Sequence, residues 1–277
     1  MKARLFSYNF VNTYIHRLSG LTKLACFLFL TFAVMFSYDL RVIMVILVIS
    51  TCLMVISRIR FSQIRTMVWY VAGFLLINAI LTYFFAPEYG VSIYKTRHEL
   101  VDLFGKYSLT SEQLFYQLTQ VMKYASVIPL GMIFILTTNP SEFASSLSGV
   151  GVNYKISFAV SLTLRYFPDI QRAYTDISQA QQARGMEMSA KANPWKRFKS
   201  ALLIIIPLIF STLERIDLIT NAMDLRGFGK RNKRTWYIRK TMNHEDWTAL
   251  LFCAFLFFGT LAVSTYINHS RFYNPFI

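Results

Sequence analysis

Two Arg-Gly pairs are the residues of this chain best suited to holding another molecule. The segment "QQARG" ends at Gly185, and the segment "NAMDLRGFG" contains Arg226-Gly227. Glycine readily adopts the left-handed conformation that ends a helix, and a cation in the last turn interacts favourably with the helix dipole. An arginine there can form a bidentate hydrogen bond to a carboxylate or bind backbone carbonyl groups. Each pair therefore predicts a helix end that presents a guanidinium.

An apolar stripe leads to each Arg-Gly pair. Apolar residues recur at steps of three and four, which places them on one face of a helix. The stripe before Arg184 consists of Ile170, Ala173, Tyr174, Ile177 and Ala180. The stripe before Arg226 consists of Ile216, Ile219, Ala222 and Met223. A single Arg-Gly end is common for local reasons, but two ends that each close an apolar stripe predict two docking sites for a partner.

Side chains that could catalyse a reaction or bind a metal ion form no recognisable set in the sequence. Cys26, Cys52 and Cys253 fall in apolar segments, and the four histidines show no ligand spacing. No GxxxxGK[ST] phosphate loop occurs, and "FGKYS" lacks its spacing. Neither a Ser-His-Asp set nor a catalytic pair of carboxylates can be singled out. We therefore expect a chain that is not an enzyme by itself and that binds no metal ion or cofactor.

The elements that position the two arginines belong to a membrane protein. The chain has 277 residues, of which 55% are apolar and 16% aromatic. A helix that crosses the hydrocarbon needs roughly 20 mostly apolar residues. Four such segments are predicted, at residues 21–38, 42–57, 67–85 and 247–267, and a fifth, more polar one at 118–137. The fifth contains Lys123, whose ammonium is expected to reach the lipid headgroups.

The distribution of charge predicts the orientation of these spans. The net charge is +15, and basic residues precede the first span and lie between the second and third. Residues 86–114 are nearly neutral, whereas residues 139–245 hold 16 Lys and Arg against 8 Asp and Glu. The positive-inside rule then places the N-terminus and residues 139–245 in the cytoplasm. The charge is thus explained by topology, and we expect no nucleic-acid binding.

Three regions follow from this pattern. Residues 1–138 form the N-terminal transmembrane helices, residues 139–245 a cytoplasmic or interfacial coupling module, and residues 246–277 the C-terminal transmembrane helix. Within the module, Asn139-Pro140 and Asn193-Pro194 favour helix breaks. Pro168 suits either a kink or a new first turn. The predicted fold is an all-α polytopic membrane protein with about five transmembrane helices plus cytoplasmic coupling helices.

Several segments resemble the transmembrane T-component of energy-coupling factor (ECF) importers, which take up vitamins and transition-metal ions with energy from ATP. These segments are "IHRLSGLTKL", "TTNPSEF", "SLTLRYFP", "AQQARG" and "NAMDLRGFG". The family carries two Ala-Arg-Gly motifs. Ala183, Arg184 and Gly185 match the first, whereas Leu225, Arg226 and Gly227 match the second with leucine in place of alanine.

The resemblance implies a scaffold in a prokaryotic plasma membrane. It would bind two ABC ATPase subunits, or a fused pair, through the two Arg-Gly ends, and a small substrate-binding S-component within the bilayer. ATP and Mg²⁺ would reside on the ATPases and not on this chain. The alternative is a secondary transporter driven by an ion gradient, although the four clear spans carry almost no ionisable residue away from their ends. An ordinary ABC permease would couple through one short helix, which the duplicated ends disfavour.

Overall fold

A computed structural model describes residues 13–57, 59, 61–101, 108–186, 194–230, 235–236 and 240–276. The first twelve residues, Arg58, Arg60, Asn193 and most of "FGKYS" lie outside this part of the chain. Ten α-helices are described: α1 (Tyr14–Arg17), α2 (Gly20–Phe36), α3 (Leu40–Ile56), α4 (Phe61–Phe85), α5 (Tyr89–Tyr94), α6 (Ser111–Thr137), α7 (Pro140–Gly149), α8 (Tyr154–Ala183), α9 (Pro194–Leu225) and α10 (His244–Ala262). A π-helical turn, Val263–Ile267, continues α10, and strands β1 (Glu99–Val101) and β2 (Leu109–Thr110) pair antiparallel.

The all-α membrane fold predicted from the sequence is confirmed. Among the residues that the structure describes, three helical stretches are long and apolar enough to cross a membrane: Arg65–Phe85, Ser111–Thr137 and His244–Ile267. Helices α2 and α3 are apolar and 17 residues long, which is the lower limit for a crossing. The fifth predicted span begins seven residues earlier than expected, because Thr110 caps α6 by accepting a hydrogen bond from the amide of Gln113.

The chain divides into two compact units. Unit 1 comprises Met1–Asn139 with Lys240–Ile277, and unit 2 comprises Pro140–Arg239. In unit 1, helices α2, α3, α6 and α10 pack around an apolar core. That core contains Leu30, Ala33, Val34, Ile46, Leu130 and Cys253. Aromatic rings tie the helices together, with Phe27 stacked on Phe134 at 5.1 Å and Phe29 at 5.7 Å from Phe257.

Two lysines inside unit 1 bind the C-terminal ends of neighbouring helices. Lys23 on α2 is buried, and its Nζ donates to the carbonyl of Thr137, the last residue of α6, at 2.8 Å. Lys123 on α6 is also buried, and its Nζ donates to the carbonyl of Met35 in the last turn of α2 at 2.7 Å. The Lys123 ammonium lies 3.4 Å from the centroid of the Tyr38 ring. The expectation that Lys123 reaches the headgroups is therefore wrong, because the carbonyl groups that end α2 offer it a partner inside the protein.

The segment Asn268–Phe276, which we call the C-terminal clasp, holds the chain end onto α3 and α5. Buried Asp39 caps α3 and accepts hydrogen bonds from Arg41 Nη2 at 3.0 Å and Asn268 Nδ2 at 2.9 Å. The amide of Tyr38 donates to the carbonyl of Arg271 at 2.8 Å. Burial alone would raise the pKa of Asp39, but the hydrogen bonds from Arg41 and Asn268 outweigh it and hold the pKa below its ordinary value. The clasp thus depends on an ionised Asp39.

Helix α5 approaches the first turn of α6 very closely at Gly90. The Gly90 amide donates to Gln113 Oε1 at 2.7 Å. A Cβ atom at position 90 would lie 2.6 Å from backbone atoms of Glu112 and Gln113. Only glycine fits this approach, because backbone atoms cannot move aside as a flexible side chain can.

Helix α4 is attached to α6 through polar side chains. Gln117 Nε2 donates to the carbonyl of Ala79 at 3.1 Å, and Gln120 Nε2 donates to Asn78 Oδ1 at 3.0 Å. Much of its apolar surface faces outwards, including Trp69, Tyr70, Phe74, Leu76, Ile77, Ile80, Phe84 and Phe85. Lipid or another membrane chain must cover that surface.

Unit 2 contains α7 and the two long helices α8 and α9. Helix α8 runs through Pro168 and α9 through Pro207, so Pro168 does not begin a new helix. The two helices are antiparallel, since rings near the start of α8 contact Phe228 just beyond α9, whereas Asp169 in the middle of α8 lies 3.7 Å from Arg215. This arrangement decides where the two Arg-Gly ends lie.

Candidate docking site

The end of α8 is a complete Schellman motif built around Gly185. Helix α8 ends at Ala183, Arg184 is the C-cap, and Gly185 has φ +87°. The amide of Met186 donates to the carbonyl of Gln181 at 3.1 Å, and the amide of Gly185 donates to that of Gln182 at 3.0 Å. These are the two hydrogen bonds that define the motif. The Arg184 side chain is exposed, so the helix end presents it outwards.

The end of α9 repeats the same geometry. Helix α9 ends at Leu225, and Gly227 has φ +64°. The amide of Phe228 donates to the carbonyl of Met223 at 3.0 Å, and the amide of Gly227 donates to that of Asp224 at 2.9 Å. Arg226 is exposed at the position that matches Arg184. The helix ends predicted from the two Arg-Gly pairs are thus confirmed, and they share one hydrogen-bonding pattern.

The two arginines lie at opposite ends of the antiparallel pair. The Phe228 ring is 4.5 Å from that of Phe158 and 5.9 Å from that of Tyr154 in the first turns of α8. Arg184 lies at the other end of that 30-residue helix. At 1.5 Å per residue, α8 is about 45 Å long, so the two guanidinium groups are on the order of 40 Å apart. A single small socket cannot hold both.

The second end is braced by an aromatic cluster made of Tyr154, Phe158, Phe228 and Trp236. Tyr154 lies 5.5 Å from Trp236 and 5.9 Å from Phe228, measured between ring centroids. Such ring pairs contribute about 0.5 to 1.5 kcal/mol each beyond area burial. The cluster holds the end of α9 against the start of α8. Residues 187–193, which follow the first end, are outside the described part of the chain.

The predicted apolar stripes have two different surroundings. Ile170 and Ala173 on α8 and Ile216, Ile219 and Met223 on α9 line one cleft of about 420 Å³ between the two helices. By contrast, Tyr174, Ala180 and Ala222 are exposed, and Ile177 is half-buried. Part of each stripe therefore serves the contact between α8 and α9, while Tyr174, Ala180 and Ala222 remain exposed.

Leu225 is the most exposed large apolar side chain beside an arginine. It is 90% exposed, next to Arg226. Leu218, two turns earlier on the same face of α9, is 71% exposed. An exposed leucine beside a guanidinium favours a partner surface that has an apolar wall as well as an anionic or carbonyl group. The sequence pattern did not single out Leu218, because it lies off the stripe that leads to Arg226.

A metal site of the usual kind among the described residues would need three or four ligands. No group of three or more His, Cys, Asp or Glu side chains that could hold a metal ion occurs among those residues.

Comparison with known proteins places these features in a family. The family model described as "CbiQ: Cobalt transport protein" matches residues 11–237, which include both Arg-Gly ends. An "Energy-coupling factor transporter transmembrane protein EcfT" from Streptococcus equi subsp. equi is 27% identical over 253 residues, which cover 88% of this chain and 90% of that protein. The protein of the same name from Bacillus selenitireducens is 25% identical over 260 residues, 90% of this chain and 92% of its own length.

A third relative is described as a different kind of protein. A protein of Bifidobacterium longum described as an ABC transporter ATP-binding protein is 28% identical over 158 residues. These residues cover 54% of this chain but 20% of that protein.

Proposed function

Because the chain belongs to the cobalt transport protein family, and is the transmembrane component of an ECF-type ABC transporter, we propose that it couples two ATPase subunits to a substrate-binding S-component. Each ATPase receives one Arg-Gly helix end. Movement of the ATPases on binding and hydrolysing ATP shifts the two ends, and the chain transmits this movement to the S-component. The chain itself hydrolyses no ATP, and ATP and Mg²⁺ stay on the ATPases.

The observation that carries this proposal is the pair of matching helix ends on the order of 40 Å apart. Two matching ends favour two matching sockets, and their separation favours sockets on two different subunits or on two halves of a fused pair. Since α8 and α9 are antiparallel and joined by the Asp169–Arg215 contact at 3.7 Å, a displacement of one end is passed along a helix to the other. The helix pair therefore suits a lever between two moving bodies.

The chemistry of the two Arg-Gly helix ends also suits an ATPase partner. A guanidinium forms two parallel hydrogen bonds with a carboxylate or caps the carbonyl groups of a partner helix. Burial of Leu225 and Tyr174 in the same sockets adds the hydrophobic term at about 25 cal/mol per Å². The Bifidobacterium relative adds support for an ATPase partner, because a segment similar to this chain lies within a protein named as ATP-binding.

The S-component is proposed to dock on apolar surface within the bilayer. The outward face of α4 is a candidate, since Trp69, Phe74 and Phe85 are each more than half exposed there. Vitamins and transition-metal ions are the substrate classes of such complexes, and the S-component, not this chain, selects between them. The N-terminus and unit 2 are proposed to lie on the cytoplasmic side of a prokaryotic plasma membrane, where the ATPases are.

The test is co-purification of the ATPases with Arg184→Glu/Arg226→Glu. Placing a carboxylate where a buried guanidinium is paired costs about 3 to 5 kcal/mol per site, which is a loss of affinity of more than a hundredfold. We expect the ATPases to be lost while the melting temperature of the chain is unchanged, since both side chains are exposed without the partner. Arg165→Glu/Arg172→Glu is the matched control, because it makes the same charge change at exposed positions in the body of α8.

Undiminished co-purification of the double variant would overturn the docking assignment. The alternative, a secondary transporter driven by an ion gradient, is tested by measuring substrate uptake. Substrate uptake by the reconstituted complex should stop when the ATPases are inactivated. Uptake that persists without ATP hydrolysis and collapses with the proton gradient would instead establish a secondary transporter.

A further inference from the structure

Two cysteines that are far apart in sequence meet inside unit 1. Cys26 lies on α2 and Cys253 on α10, and both residues line the wall of the same cavity. Cys26 Sγ also donates to the carbonyl of Ala249 at 3.7 Å, one helical turn before Cys253. The packing of α2 on α10 therefore creates a dithiol that spacing along the chain does not predict.

The dithiol lines an apolar cavity. The cavity has a volume of about 340 Å³, and both cysteines contribute to its wall. The wall is otherwise mostly aliphatic and aromatic, with Phe27, Leu30, Leu130, Ile133, Phe134 and Phe252 among its members. Few polar groups compete with the thiols for an ion in this cavity.

Lys23 supplies a positive charge to the same cavity. It lines the wall together with Cys26, and residues three apart on a helix lie on the same face. The Lys23 side chain is held in place by its hydrogen bond to Thr137. An anionic complex on the two sulfur atoms would thus have a fixed compensating cation nearby, which reduces the cost of burying its charge.

We propose that Cys26 and Cys253 form a two-coordinate site for one soft monovalent cation of the Cu(I) type. Thiolate sulfur selects such ions over hard cations. Each thiol releases one proton to water, two sulfur–metal bonds form, and no electron is transferred. The bis-thiolate complex carries one negative charge, which Lys23 balances. Zinc does not fit, because it takes four ligands in structural sites and at least three protein ligands in catalytic ones.

A metal ion bound at this site would link helix α2 to helix α10. Cys26 and Cys253 come from opposite ends of the chain, so a metal bridge between them joins α2 to α10 across the apolar core. Because the ion binds the folded chain and not the unfolded one, it raises the stability of the chain by mass action. The site is independent of the two Arg-Gly ends, which lie in unit 2.

The experiment uses Ag(I), which has the same charge and preference for sulfur as Cu(I) but is not converted by oxygen into a divalent ion that oxidises thiols. The complete transporter complex, kept reduced and free of oxygen, receives one equivalent of Ag(I) per chain and is desalted, and retained silver is counted. Cys52→Ser is the matched control, because Cys52 is the third free cysteine and is exposed on α3. We expect about one silver ion per chain in the wild type and in Cys52→Ser, and at least a tenfold loss in Cys26→Ser and in Cys253→Ser.

Folding and oxidation are checked on the same samples. The metal-free variants should melt within a few degrees of the wild type. If serine disturbs the packing, Cys26→Ala and Cys253→Ala replace the serine variants in the silver count. Full silver retention by either single cysteine variant would overturn the proposal, and so would a wild type that retains none. A wild-type chain two hydrogens lighter in intact mass, with no bound silver, would assign the pair to a disulfide instead.

Discussion

The cations of the two units differ in where their partners are. In unit 1, Lys23 and Lys123 are 6% and 3% exposed, and each ammonium donates a hydrogen bond to a backbone carbonyl of a neighbouring helix. In unit 2, Arg184 and Arg226 belong to the helix ends themselves and point outwards. Unit 1 thus uses buried charge to satisfy its own helix ends. Unit 2 displays charge where another molecule can use it.

This difference separates stability from function along one chain. A buried ammonium that binds carbonyl groups contributes to folding, because its removal leaves acceptors without a donor in a medium that contains no water. An exposed guanidinium contributes little to folding. Substitutions of the lysines should therefore change the stability of the chain, whereas substitutions of the arginines should change what the chain binds.

The largest stability effect is expected from Lys123→Met and Lys23→Met. Each change keeps an unbranched side chain as far as Cε and removes the ammonium that donates to Met35 or to Thr137, at an expected cost of about 1.5 to 3 kcal/mol. Arg184→Met should change the free energy of unfolding by less than about 0.5 kcal/mol. Thermal unfolding in one detergent measures all three. Equal destabilisation by the lysine and arginine variants would remove the distinction between the units.

A second comparison sets Gly90 in unit 1 against Gly185 in unit 2. Gly90→Ala places a Cβ 2.6 Å from the backbone of α6, so α5 must move, at an expected cost of about 2 kcal/mol. Gly185→Ala meets no atom within 4 Å, but its φ of +87° strains an L-residue by about 1 kcal/mol. Gly73→Ala, with open space around it in the interior of α4, is the control and should leave the stability unchanged or raise it by up to about 1 kcal/mol. The free energies of unfolding should follow this order, and a harmless Gly90→Ala would contradict the close approach.

The smallest effect concerns the C-terminal clasp and its dependence on pH. Because the folded pKa of Asp39 is held below its ordinary value of 3.8, its contribution to stability is complete above that value. It is lost as the pH falls through the lower, folded pKa. Between pH 5 and pH 3 the wild-type melting temperature should drop more than that of Asp39→Asn. Parallel curves for the two proteins would show that ionised Asp39 does not hold the clasp.

Local chemistry made the two Arg-Gly helix ends predictable. A glycine that must take a positive φ and a cation at the last turn act within a few residues, so Ala183-Arg184-Gly185 and Leu225-Arg226-Gly227 carry their own geometry. Hydropathy likewise located the apolar helices, since a run of about 20 apolar residues needs no tertiary contact to be recognised. The first turns of α6 were missed, because their polar residues pack on α5 and do not look like part of a span.

Contacts between distant segments escaped prediction for the corresponding reason. Lys123 was expected at the headgroups, since its position within α6 does not reveal that Met35 and Tyr38 lie beside it. Ile219 and Met223 were assigned to a docking face, yet they line the cleft with α8. Apolar periodicity shows that a face is buried but not what buries it.

The amino-acid sequence alone determined the helical class of this protein, its membrane character and the form of the two helix ends, because each depends on residues close together in the chain. Only the tertiary structure decided that the two arginines stand on the order of 40 Å apart. It also decided that Lys23 and Lys123 bind the C-terminal ends of each other's helices, and that Cys26 and Cys253 line one cavity. Those facts depend on how helices cross, and crossing geometry is set by side-chain packing between segments that the linear order keeps apart.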